Sequence, residues 1–340
     1  MLSLITINEQ SKVPKYQQII NSILTAIENR ELKMDDKLPS VNQLLIEFDI
    51  SRDTIVRAYD HLKQIGIITS VPGKGYYIRK DNLALKARVF LLFNKLSAHK
   101  KVIYDAFAST LGDQATIDFF IYENNYRQFK ELIYAAGARD YSHYVIIAHF
   151  DEGGEGLVDF IKEVIPYKKL VVLDKRIDGL GVNVASVYQD FEKDIYTALK
   201  DLNQQLKKYH RLKLIFGEQS YQPGEIRKGF IRFCGEFAYD FNIVRTLEEE
   251  EISMHTVYIT LREDDLVGLI KKFKQTSYSL GKDVGIISYN DTLLKEVLLD
   301  GITVISTDFR KLGEQAARMV LQRHHEQFVN PFYVILRNSL

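Results

Sequence analysis

One cysteine, Cys234, is all that this chain of 340 residues contains. That excludes an intrachain disulfide and a zinc cage built on cysteine, and it fits a reducing, cytosolic setting. Net charge is also missing, because 45 lysines and arginines balance 45 aspartates and glutamates. A globally basic nucleic-acid coat and a polyacidic tail are excluded, whereas a small local DNA-binding surface is not. No apolar run approaches the roughly 20 residues that span a bilayer. The opening stretch, MLSLITINEQSKVPKY, has no basic segment followed by an apolar one. No signal peptide and no membrane partner are therefore expected. Nor is there an internal repeat with a period of about 20–50 residues. The acidic run Glu248–Glu251 reads as a solvated turn.

What is present is ordinary globular composition, 46% hydrophobic and 26% charged. At roughly 150 residues per domain the length suggests two or three domains. Texture changes along the chain. Residues 1–80 carry helical periodicity and end in one short hairpin. Residues 81–87, within the stretch KDNLALKA, form a linker. Residues 88–340 alternate short β-rich runs with helical stretches. The runs are Arg88–Phe93, Thr116–Tyr122, Tyr144–His149, Lys169–Leu173, Leu212–Phe216, Thr256–Thr260, Val284–Tyr289 and Thr303–Ser306. Most are continuously apolar, as strands buried on both faces are. The expected class is α/β, a doubly wound parallel sheet architecture.

In the first region Tyr16, Ile19, Ile20, Ile23, Leu24 and Ile27 recur at helical spacing. Lys37-Leu38-Pro39-Ser40 follows, and Ser40 is a good N-cap for a short helix, Val41–Phe48. Asp49-Ile50-Ser51 then reads as a tight turn into a helix from Arg52 to about Ile65. Two short helices so joined form a helix-turn-helix. The first turn of the second is where base edges are met, and an arginine there can donate twice to guanine or neutralise a phosphate. Gly66–Val71, Pro72-Gly73-Lys74-Gly75 and Tyr76–Arg79 read as strand, turn and strand, a wing with a lysine at its tip.

That ordered set resembles the GntR-type winged helix-turn-helix, over about residues 10–79. The resemblance implies that Ser40, Arg52, Thr54, Arg57, Gly73 and Lys74 face DNA. Two departures stand out. Val41-Asn42-Gln43 replaces the family's Glu-Arg-Glu, and Arg30-Glu31-Leu32 replaces its glycine ahead of the Leu-Pro-Ser loop. Residues 1–80 hold eleven basic and nine acidic side chains. Affinity is thus expected to depend on dimerisation, with a modest salt slope.

The second region resembles the LacI-type sugar-binding body, which is related to periplasmic binding proteins. The likeness rests on KLVVLDKR (Lys169–Arg176), EIRKGFIRF (Glu225–Phe233), VGIISYNDT (Val284–Thr292) and ISTDFRKLGEQAA (Ile305–Ala317). It implies two lobes joined by crossovers, closing over a ligand at the C-terminal ends of the strands. Asn94, Ser97, His99, Asp174, Arg227, Arg262, Asn290 and Phe309 are placed in the cleft by it. Arg262 stands where the family has asparagine, which permits an acidic or phosphorylated ligand.

No enzyme signature competes. Asp151–Gly156 (DEGGEG) is not G-x-G-x-x-G, and its carboxylates would repel a pyrophosphate. Gly73-Lys74-Gly75 lacks P-loop spacing, and no G-x-S-x-G elbow occurs. The histidines form no HxxxH, and no metal or cofactor is called for. The expectation is a cytoplasmic homodimer that binds operator DNA and is relieved by a small sugar or sugar-derived effector, arabinose and fucose first. Two alternatives remain: a sugar-phosphate-modifying enzyme with a DNA-binding regulatory head, and an architectural DNA binder with a vestigial body.

Overall fold

Apolar side chains at helical spacing build the N-terminal unit, Met1–Leu85. It contains α1 (Lys15–Glu28), α2 (Val41–Phe48) and α3 (Arg52–Gln64), then an antiparallel hairpin of β1 (Ile68–Val71) and β2 (Gly75–Ile78). Ile19, Ile23 and Ile27 of α1 meet Leu44 of α2, Ile55, Tyr59 and Leu62 of α3, and Ile78 of the hairpin in one buried cluster. The computed structural model describes residues 2–9, 11, 13–79, 86–217, 222–322 and 325–340. Most of the linker expected at 81–87 lies outside the described residues.

The second unit, Lys86–Leu340, contains two six-stranded sheets. Its first half runs β3 (Ala87–Phe93), α4 (Ala98–Leu111), β4 (Ala115–Ile121), α5 (Tyr126–Gly137), β5 (His143–Ile147), α6 (Leu157–Val164), β6 (Leu170–Asp174) and β7 (Ala185–Tyr188). Next come α7 (Phe191–Asp201), α8 (Asn203–Leu206), β8 (Arg211–Ile215), α9 (Gly224–Glu236), β9 (Asp240–Val244), β10 (Thr256–Thr260) and α10 (Glu263–Phe273). The chain closes with β11 (Val284–Tyr289), α11 (Leu293–Val297), β12 (Thr303–Thr307), α12 (Phe309–Gln322), β13 (Gln327–Val329) and β14 (Phe332–Ile335).

The first sheet has the order β13-β7-β6-β5-β3-β4 and every pairing in it is parallel. The second has the order β14-β12-β11-β10-β8-β9 and is parallel except at its edge, where β14 runs against β12. Alternation in β3 shows why its run is wholly apolar. Val89, Leu91 and Phe93 pack with α4 and α12 on one face, while Phe90 and Leu92 pack with α5 and α6 on the other.

Three chain crossings join the lobes. α7 follows β7 of the first sheet but packs with the second, against α9; α12 follows β12 of the second sheet but packs on α4 of the first. The third crossing is Asn330-Pro331, between β13 and β14. Asn330, 2% exposed, ties all three. Its backbone N–H donates to Tyr188 O (2.7 Å), and its Nδ2 donates to Thr307 Oγ1 (2.7 Å) and Asp308 O (2.8 Å). Glycines permit the helix contacts that seat the crossings. A Cβ on Gly229 of α9 would lie 2.1 Å from Glu192 O, and one on Gly313 of α12 would lie 2.3 Å from Ile103 O of α4.

Candidate functional site

Two surfaces concentrate the residues singled out from sequence. On the N-terminal unit, Ser40 caps α2 in a reciprocal box: its Oγ accepts from Gln43 N (3.2 Å), and Gln43 Oε1 accepts from Ser40 N (2.8 Å). A hydroxyl that accepts can still donate, so capping and a phosphate contact are compatible. Ser51 caps α3 by accepting from Thr54 N (3.3 Å), and its Oγ lies 2.8 Å from Thr54 Oγ1. Tyr59 anchors the turn from beneath, donating from its buried hydroxyl to Pro39 O (2.7 Å).

Arg52 and Arg57 are exposed on α3, and Thr54 is half-buried. The Arg57 guanidinium lies over the Tyr16 ring of α1, 4.0 Å from its centroid. That contact narrows the arginine's range of positions on the exposed face. Asp53, Asp60 and Gln64 stand beside it around a shallow depression. At the hairpin tip Gly73 adopts φ +75°, the left-handed turn that glycine tolerates, and Lys74 is exposed. A feature not read from sequence is the segment before α2. Leu38 N donates to Tyr76 O (2.9 Å) and Ile78 N to Asp36 O (2.9 Å), so Asp36–Leu38 lines the hairpin's edge.

The second surface is a cavity of about 530 Å³ between the lobes of the second unit. This volume lies in the range of small-molecule sites. Asn94, Ser97, His99, Asp174, Arg262, Asn290 and Phe309 all line it. Asn94 follows β3, Asp174 ends β6 and Asn290 follows β11, so strand C-termini supply the wall. Asp174 (φ +74°) and Asn290 (φ +64°) are left-handed, a conformation that non-glycine residues seldom adopt.

Arg227 does not reach this wall. It is exposed on α9, whose buried stripe is Ile226, Gly229, Phe230, Phe233 and Cys234. The helix starts only at Gly224, and Gln222 and Pro223, just ahead of it, take the cavity position instead. Arg227 is thus not among the residues that line the cavity in this arrangement. Arg262 reaches the wall half-exposed, and its Nη2 lies 3.2 Å from Asp264 Oδ2.

Sequence reasoning missed Lys100, His149, Gln189 and Tyr289, which also line the cavity. Lys100 Nζ donates to Asp174 Oδ2 (2.6 Å), His149 Nε2 lies 3.1 Å from the same oxygen, and Gln189 Nε2 donates to Asp174 Oδ1 (2.5 Å). Burial pushes the Asp174 carboxyl up, but Lys100 and His149 outweigh it and hold the group well below the usual carboxylate range. The His99 and Phe309 rings stack with centroids 4.7 Å apart and planes at 18°. Burial, then the neighbouring Lys295 and Lys100 charges, lower His99 to about 4. At neutral pH this wall is therefore a pair of uncharged flat rings. The arrangement suits binding: polar groups fixed by one another, beside an aromatic face against which C–H groups pack.

Comparison with known proteins agrees with both halves. Residues 15–78 match the family described as bacterial regulatory proteins, gntR family, and residues 206–339 match the periplasmic binding protein-like domain. An uncharacterised HTH-type transcriptional regulator of Bacillus subtilis, YydK, is 40% identical over 81 residues, 24% of this chain and 34% of its own length. The chain thus spans about a third of the length of that relative. Among solved structures, the lac repressor bound to ONPG superposes with a TM-score of 0.62 at 13% identity, covering 88% of this chain and 95% of that one. A CelR–cellobiose complex, a transcriptional regulator, superposes at 0.60 with 11% identity, covering 89% and 100%. Among the described residues no helix is long and apolar enough to cross a membrane. The chain therefore joins a gntR-family helix-turn-helix domain to a periplasmic-binding-protein-like body with the fold of LacI-type regulators.

Proposed function

We propose that this protein is a ligand-responsive transcription regulator, a repressor that leaves its operator when a small sugar or sugar-derived effector enters the interlobe cavity. The observation that carries the reading is the cavity itself. Strand ends of both lobes bring Asn94, Asp174 and Asn290 together with the His99–Phe309 stack. Amides and carboxylates match vicinal hydroxyls, and an aromatic face matches the C–H face of a sugar ring. Arg52, Thr54, Arg57 and Lys74, with Ser40 and Gly73 at the helix and hairpin turns, form the DNA-contacting set. Such a head reads one half-site, so a homodimer reads a two-fold operator with half-sites about 10 bp apart or a multiple. Arabinose and fucose are the first effectors to try.

The test is a thermal-shift panel on the full chain with pentoses, hexoses, deoxysugars, sugar acids and sugar phosphates. A ligand at a hundred times its dissociation constant stabilises the folded state by about 2.7 kcal/mol, a shift of several degrees. A clear hit whose stabilisation is lost in Asn290→Leu is the expected result. A panel with no hit contradicts the sugar reading.

A further inference from the structure

The crossing from β7 into α7 holds a buried carboxyl outside the cavity lining. Asp194, one turn into α7, is 7% exposed, and its Oδ2 is buried with no hydrogen-bond partner among the described residues. The backbone around it is fixed. Asn330 N donates to Tyr188 O just ahead of the helix (2.7 Å), and Asp190 Oδ1 caps the helix by accepting from Lys193 N (3.4 Å). Glu192 O sits where Gly229 of α9 leaves room for it. Phe191 and Ile195 then anchor this first turn in the core of the second lobe.

The elements packed there bring Asp194 no buried cation. On its own helix, Lys193 is exposed. β11 brings the Tyr289 hydroxyl, which burial, then the Asp194 and Asp174 charges, push well above its ordinary range, so it stays neutral. α9 brings an apolar stripe whose titratable member, Cys234, is pushed up to about 12 by burial. Arg232 of α9 lies instead over the Tyr196 ring, 4.4 Å from its centroid. β8 and β14 bring Leu212, Leu214, Phe332 and Val334. Burial, then the Asp190 charge, therefore raises the Asp194 carboxyl to about 7, and the Asp190 N–H and Lys193 pull it back by less.

We propose that Asp194 makes this lobe crossing proton-sensitive: the first turn of α7 is held on the second lobe while the carboxyl is protonated and loosens from it as the carboxyl ionises. The inference does not depend on which ligand the cavity takes. A carboxylate without a partner is costly to keep buried, whereas a protonated carboxyl is far less so. Ionisation therefore favours states in which water reaches Asp194, and that requires α7 to part from β11 and β14. The same turn follows Gln189 of the cavity wall and lies beside the Asn330 joint, so the proton acts on the seam through which the lobes are connected.

The experiment is amide hydrogen exchange of the full chain, without ligand, at pH 5, 6, 7 and 8. Rates are divided by the intrinsic chemical rate at each pH, which leaves the opening constant of each segment. Opening that solvates Asp194 returns it to the ordinary aspartate value of 3.8, so the open form sheds the proton between that value and about 7. The opening constant of residues 195–199 is then expected to rise about fiftyfold from pH 5 to pH 7 and to level off above pH 7. α5, in the other lobe, is expected to change far less. Asp194→Asn, which stays uncharged, is expected to abolish the rise; Asp194→Ala serves if the amide variant does not fold. A flat native profile overturns the proposal whatever the variants do. So does a rise that persists in the variants, or one shared equally by α5, which would place the proton's effect on the whole fold.

Discussion

Arg57 shows how a single residue gains a role from its neighbour. The guanidinium could sweep a wide volume, but the Tyr16 ring at 4.0 Å holds it over one side of α3. Arg57→Ala is expected to weaken operator binding by about 1–3 kcal/mol if it reaches a base, or to lower the salt slope by about one if it reaches a phosphate. Fluorescence anisotropy against an operator selected from a randomised duplex pool, at several salt concentrations, separates the two outcomes; effector binding stays intact in both. His99 gives a prediction about acid. Its folded value of about 4 lies below the ordinary histidine value of about 6.5, so the unfolded chain binds the proton more readily between these values. Its contribution to stability is present above pH 6.5 and is lost as pH falls through about 4. Asp194 has the opposite sign, since burial, with the nearby Asp190, raises it to about 7. The test is therefore a difference: in urea unfolding at pH 7 and pH 5, His99→Phe loses less stability on acidification than the native chain. At this scale the cleft was partly legible. Asn94, Asp174 and Asn290 sit at strand ends, where α/β sheets bind ligands. Gln189 was not legible because its strand was not recognised, and Lys100 was not because it projects from a helix.

At the scale of elements, the eight runs all became strands; seven are interior to their sheets and largely buried, which leaves little room for polar alternation, while β4 lies at an edge, is partly exposed and was legible through its Ile and Phe residues. β9, β13 and β14 escaped for the converse reason. They lie at sheet edges, are partly exposed and mix polar with apolar residues. β7 is central but only four residues long, with alanine and serine in its sequence ASVY. Helix pairs carry information that periodicity does not. Gly313 is where α12 meets α4, and Ile103 O would lie 2.3 Å from an added methyl group. Gly313→Ala is expected to destabilise the body by about 1–3 kcal/mol or more through overpacking, read as a lower midpoint in urea with little change in slope. A midpoint at or above the native one contradicts that packing.

For the whole molecule, the three crossings matter most. Gln189 follows Tyr188, whose carbonyl accepts from the Asn330 backbone N–H, and Phe309 follows Asp308, whose carbonyl accepts from the Asn330 side chain. Two residues on the cavity wall therefore lie next to the joints between the lobes. This gives ligand binding a physical route to lobe geometry, provided that the ligand favours one arrangement over the other; equal affinity for both would shift nothing. The head was legible as an ordered set of short motifs, and the second lobe through VGIISYNDT and ISTDFRKLGEQAA. The first lobe carries fewer such signals, and the matched body domain begins only at residue 206.

The most direct test of the account measures operator affinity of the full chain with and without the sugar that stabilises it. Coupling of about 1–3 kcal/mol is typical, so operator binding is predicted to weaken roughly 5- to 150-fold at saturating sugar, and sugar affinity to fall by the same factor on the operator-bound protein. A sugar that occupies the cavity while operator affinity stays unchanged would contradict the account.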